Sequence, residues 1–73
     1  MSRVAVIGEE DRIRGFALAG VITFPAETED ETRSAWRSFG AEVAVVILTP
    51  RAADCLAGQL GERPDALTVV MPP

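Results

Sequence analysis

The stretch VAVVIL, Val43 to Leu48, constrains this chain more than any other. It is apolar at every position. A strand with water on one side alternates apolar and polar residues, whereas a strand covered on both faces does not alternate and is characteristic of the centre of a parallel sheet. Parallel neighbours cannot be joined by a tight turn. They need crossovers of a dozen residues or more, usually carrying a helix. The chain supplies such partners. VAVIG at Val4–Gly8 is a β-branched run closed by glycine, VITF at Val21–Phe24 is stopped by Pro25, and LTVVM at Leu67–Met71 precedes the final prolines. The order reads βαβαβαβ. It predicts one α/β domain over residues 1–73, with four parallel strands in the order 2-1-3-4, right-handed crossovers and three helices on two faces.

Helix signals fall between these runs. In EEDRIRGFALAG, Ile13, Phe16, Ala17 and Gly20 recur at i, i+3, i+4 and i+7, which predicts one helix with its apolar face on the sheet. Acids at its start suit the helix dipole, and Gly20 is placed to cap its end. Gly15 and Ala19 read as packing positions, because a mid-helix glycine costs about 1 kcal/mol relative to alanine and is best understood where something approaches closely, either the sheet or a partner. Thr28 and Glu31 form a T-x-x-E capping box that opens a second helix bearing Trp36 and Phe39 as core residues. Thr49 reads as the N-cap of a third helix with Pro50 at its first position; Ala53, Leu56, Ala57 and Leu60 face inward, and Gly61 ends it.

Composition excludes several function classes. The net charge is −4, so the basic footprint that nucleic-acid binding requires is absent. There is no histidine and one cysteine, Cys55, which excludes a zinc site of the usual type and an intrachain disulfide and fits a reducing cytoplasmic setting. No apolar stretch approaches the roughly 20 residues of a membrane span.

The loops carry little chemistry. A dinucleotide or phosphate loop after the first strand needs several glycines so that backbone N–H groups reach the phosphates. Here Gly8 is followed by Glu9, Glu10 and Asp11, three carboxylates that repel an anion. A phospho-acceptor receiver domain needs an aspartate where Thr49–Pro50 end the third strand, and a late lysine, which the chain lacks. Cys55 has no histidine to activate it as a nucleophile. Glu9 and Glu10 are adjacent in a loop and read as solvated charge. No cofactor, metal or small-molecule ligand is expected, and the chain reads as a binding or structural module.

VAVIGEEDRIRGFALAGV resembles the start of the F subunit of V-type and archaeal-type rotary ATPases. That family opens with a strand ending in glycine, an acidic turn, and a helix bearing G-F-x-L-A-G, matched here by Gly15, Phe16, Leu18, Ala19 and Gly20. VAVVILTPRAADCL and PDALTVVMPP resemble its third strand with the following helix and its last strand. The resemblance implies a small Rossmann-like, flavodoxin-like three-layer sandwich on the central stalk. It implies docking on the coiled-coil shaft subunit, no active site, and support for the coupling of ATP chemistry to proton or sodium transport. It further implies a cytoplasmic subunit, peripheral to the membrane through its complex. Family members run on into a tail and a C-terminal helix; this chain reads as a short form without it. Expected docking surfaces are the loops Glu9, Glu10, Asp11, Arg12 and Thr49, Pro50, or the Val21–Phe24 edge. The alternative is a stand-alone α/β interaction module. A third class is an enzyme or sensor domain binding a ligand at the strand C-terminal ends.

Overall fold

The computed structural model describes residues 2–73. Strands β1 (Arg3–Gly8), β2 (Ile22–Pro25), β3 (Val43–Leu48) and β4 (Leu67–Val70) form one parallel sheet in the order β2-β1-β3-β4. The expected order is therefore found, with strand ends displaced by a residue. Val6 pairs with Thr23 on one side and Ile47 on the other, and Ile47 in turn pairs with Val69. A register shift between Arg3 and Val4 marks the entry to the β1–β3 ladder.

Helices α2 (Glu29–Ser38) and α3 (Pro50–Cys55) pack against each other on one face of the sheet. Beneath them Ala5, Ile7, Val46 and Leu48 meet Trp36, Phe39, Ala52 and Leu56 in the main core. Trp36 is fully buried and Phe39 meets it edge-on, with ring centroids 5.6 Å apart, as the expected core assignment requires. Arg63 covers this pair from outside: its guanidinium lies 3.9 Å from the Phe39 ring centroid and donates to the Trp36 and Phe39 carbonyls. The capping box of α2 is formed in both directions between Thr28 and Glu31.

The opposite face differs from expectation. α1 is only Glu10–Ile13, and the chain continues as a 3-10 segment over Arg14–Ala19. Ile13 is buried against this face, Phe16 is half-buried, and Ala17 and Gly20 are exposed, so the expected inward face of one long helix does not exist. Gly15 lowers helix propensity where a second turn would have to form. The large apolar side chain of the segment, Leu18, falls outward and is 94% exposed. α1 and the 3-10 segment pack chiefly on β1 and β2. β3 is accordingly central but not covered throughout: Val45 and Ile47 are half-buried.

The third helix also stops early. α3 ends at Cys55, and a separate 3-10 turn occupies Leu60–Glu62. Gly58 lies where the second turn would continue, and Leu56, at φ −104° and ψ 8°, has already left the helix. Leu56 is buried as expected and Ala53 and Leu60 are half-buried, but Ala57 is exposed.

Candidate functional site

In this strand order the connections leave β1 in opposite directions, so the switch point lies between β1 and β3. Open α/β sheets bind ligands there, outside the strand C-terminal ends. Gly8, Glu9, Thr49 and Pro50 meet at this position. Thr49 is fully buried, and its hydroxyl donates to Glu9 Oε1 at 2.6 Å and accepts from the Ala52 amide at 3.3 Å. One hydroxyl thus ties the two loops together and caps α3, whose first residue is Pro50. A Cβ on Gly8 would overlap the Thr49 side chain. Gly8 is glycine to clear Thr49, not to admit a phosphate.

The electrostatics oppose an anion. The Thr49 hydroxyl bond, partly offset by desolvation, holds the Glu9 carboxyl below the usual glutamate range, so Glu9 is ionised at neutral pH. The Glu10 amide, a natural donor to a phosphate, donates to Glu27 Oε2 at 2.8 Å. Glu10, Asp11 and Arg12 are exposed, and Arg12 reaches across the strand ends to the Pro72 carbonyl at 3.3 Å. The structure therefore joins Glu9 to Thr49 and leaves Glu10 and Asp11 in solvent. Glu27 joins this acidic rim without a motif to signal it. Cys55 is a free, half-buried thiol. Among the described residues no group of three or more His, Cys, Asp or Glu side chains is placed to hold a metal ion. No helix among them is long and apolar enough to cross a membrane.

Among the described residues are two shallow surface grooves. One, of about 320 Å³, runs between the β2 edge and α2, along Phe24, Pro25, Ser34 and Ser38. The other, of about 310 Å³, is lined by Arg12, Gly15, Phe16 and Ala19. A Cβ on Gly15 would meet nothing within 4 Å, and Ala19 is exposed. Of the two neighbours expected there, the sheet or a partner, the sheet does not approach the Gly15 position within this chain. An apolar surface on the edge strand β4 was not foreseen from the sequence. Leu67 and Val69, paired with Val45 and Ile47, are 66% and 45% exposed. The signal was present in Leu67 and Val69 falling on one side of a strand at the sheet edge.

A family model described as the ATP synthase (F/14-kDa) subunit matches residues 4–72, from β1 to the residue pair that ends the chain. The chain belongs to that family. No curated protein matches it. In this ATP synthase F/14-kDa family member the match takes in all four strands, so the assignment rests on the whole sheet and not on the G-F-x-L-A-G stretch alone.

Proposed function

We propose that this chain is a non-catalytic central-stalk subunit of a V/A-type rotary ATPase. It acts as one domain over residues 1–73, docks on the coiled-coil shaft subunit, and supports the coupling of ATP hydrolysis or synthesis to ion transport. It works on the cytoplasmic side, held at the membrane only through its complex. The observation that carries this reading is the family match over residues 4–72. The closed switch point supports it: Thr49 and Glu9 fill the place where a ligand would enter an enzyme of this architecture. No chemistry of its own is required of such a subunit, since its role is to transmit torque or adjust affinity through contact.

Co-expression with the cognate shaft subunit, followed by gel filtration, tests the proposal. Co-migration at micromolar concentrations is the expected result. Separate elution, both for this chain and for a version extended by a family-type tail, makes it a stand-alone interaction module instead.

A further inference from the structure

The two edges of the sheet are not equivalent. In a parallel ladder successive residues turn their N–H and C=O to opposite sides, so half of an edge strand's backbone groups face outward unpaired. The Met71 amide donates to the Leu48 carbonyl at 2.8 Å, and Val46 and Leu48 stand beside Thr68 and Val70. Leu67, Val69 and Met71 therefore turn their backbone groups to β3, and Thr68 and Val70 turn theirs outward. At the other edge the Ala26 amide donates to the Gly8 carbonyl at 2.8 Å, so Thr23 and Pro25 are the outward residues of β2. Proline has no N–H. β2 thus offers the Thr23 amide alone, beside a groove walled by α2, whereas β4 offers the Thr68 and Val70 amides in succession.

Nothing within β4 guards this edge. Natural sheet edges are blunted by charges, prolines or bulges. From Leu67 to Met71 the chain carries no charge, proline or glycine, and Leu67, Val69 and Val70 are exposed. The guards stand outside the strand, with Glu62 and Asp65 before it and Pro72 and Pro73 after it.

The edge is complementary to itself. A two-fold axis normal to the sheet at Val69 sets two copies of β4 antiparallel. Thr68 then faces Val70 of the second copy, and each such pair exchanges both N–H···O bonds, which uses the outward groups of both strands. Val69 meets Val69, and Leu67 meets Met71, on the face that Val45 and Ile47 share. Every cross-strand pair is apolar or β-branched, the types that stabilise antiparallel neighbours. Charge favours the same direction. Asp65 comes beside Pro72 and Pro73 of the second copy, where Arg12 lies 3.3 Å from the Pro72 carbonyl. Asp11 is exposed next to Arg12 in sequence, and Arg63 is held by the Trp36 and Phe39 carbonyls, so the Asp65–Arg12 pair sets orientation more than strength. A parallel arrangement sets Asp65 against Asp65 instead. The antiparallel pairing is isologous and closes at two copies, because it consumes both β4 edges.

We propose that two copies of this chain pair antiparallel through β4, centred on Val69, and join their four-stranded sheets into one. A strand of this length buries less than the roughly 800 Å² per partner of a standard interface, so the dimer is weak. The pairing does not rest on the stalk reading and is tested on the chain alone.

Sedimentation equilibrium from micromolar to millimolar protein tests it, on the wild type, Val70→Pro, Val69→Lys and Thr23→Lys, with melting curves as the folding check. Val70→Pro removes an outward amide and no bond of the β3–β4 ladder. The expected result is a monomer–dimer equilibrium whose Kd weakens roughly tenfold or more in both β4 variants, the effect of edge prolines and lysines. Thr23→Lys dimerises as wild type. Cross-linking in a Cys55→Ser background reads the register. Val69→Cys places two thiols at the axis, with Cα atoms about 4.5 Å apart and within disulfide range. Leu67→Cys sets them about 14 Å apart along the strands. Val69→Cys is expected to oxidise to a covalent dimer roughly tenfold faster, although Leu67 is the more exposed side chain. A monomer at every concentration overturns the proposal. So do a dimer that survives both β4 variants, loss of the dimer on Thr23→Lys alone, assemblies that grow beyond two copies, and cross-linking at Leu67 as fast as at Val69.

Discussion

Thr49 uses one hydroxyl twice, donating to Glu9 and accepting from the Ala52 amide, while its methyl group fills the space that a Gly8 side chain would need. Thr49→Val keeps the shape and removes the hydroxyl. Loss of an N-cap costs about 1 kcal/mol. The variant is expected to melt on the order of 5 °C lower, measured by circular dichroism, since a domain of this size shifts roughly 4–8 °C per kcal/mol. The same residue sets a pH dependence. The Glu9 carboxyl is held below its ordinary range by the Thr49 bond, so its contribution is present above the unfolded value and is lost as pH falls through the folded one. Wild-type melting temperature should therefore fall on the acid side of the usual carboxylate range. Both Thr49→Val and Glu9→Gln should flatten that part of the profile; an unchanged acid limb in both would show that Glu9 contributes nothing to it. Thr49 was legible from sequence as a helix cap, because Pro50 follows it. Its bond to Glu9 spans 40 positions and depends on β1 and β3 being neighbours.

At the scale of elements, the start of α2 was readable, though the helix ends at Ser38 with Phe39 already extended and not at Gly40; the first crossover was not. The α2 start is decided locally by Thr28 and Glu31, which find each other within one turn. Residues 10–20 carry the same kind of periodic signal, yet form one helical turn and then a 3-10 segment. Periodicity names a face without saying whether the sheet offers area for it. Gly15 and Gly20 separate the two uses of glycine here. Gly20 has φ 80°, in the left-handed region, and closes the segment by donating its amide to carbonyls behind it. Gly15 has ordinary backbone geometry and open space around it. Gly15→Ala is expected to stabilise by about 0.5–1 kcal/mol through lower unfolded-state entropy and better helix propensity, and Gly20→Ala to destabilise by about 1 kcal/mol through the strained left-handed position. Thermal denaturation of the pair checks the opposite signs. Destabilisation by Gly15→Ala would mean that the backbone there needs glycine after all.

For the whole molecule, the closed switch point and the acidic rim predict indifference to nucleotides. Calorimetry with ATP, NAD and Mg²⁺ should detect no binding tighter than about millimolar, since exposed carboxylates alone make poor cation sites and repel phosphate. Micromolar affinity for any of them would contradict the geometry of Glu9 and Thr49. A chain of 73 residues buries only about 60% of its unfolded surface, so its own stability margin is thin and partner binding should register strongly. With free shaft subunit at 100 times Kd, linkage adds about 2.7 kcal/mol. That corresponds to a rise in melting temperature of roughly 10–20 °C, measurable by scanning calorimetry.

The sheet and its strand order were determined by the sequence itself. An uninterrupted run such as VAVVIL fits the centre of a parallel sheet, and crossover handedness then leaves a handful of arrangements for its neighbours. The caps at Thr28 and Thr49 were equally local. Which faces end up covered was decided by the tertiary structure. Whether Leu67 and Val69 are core or surface depends on how far α1 and its 3-10 continuation extend across the sheet, and that segment packs chiefly on β1 and β2. Coverage is a sum over distant elements competing for one area, and no window along the chain contains that sum.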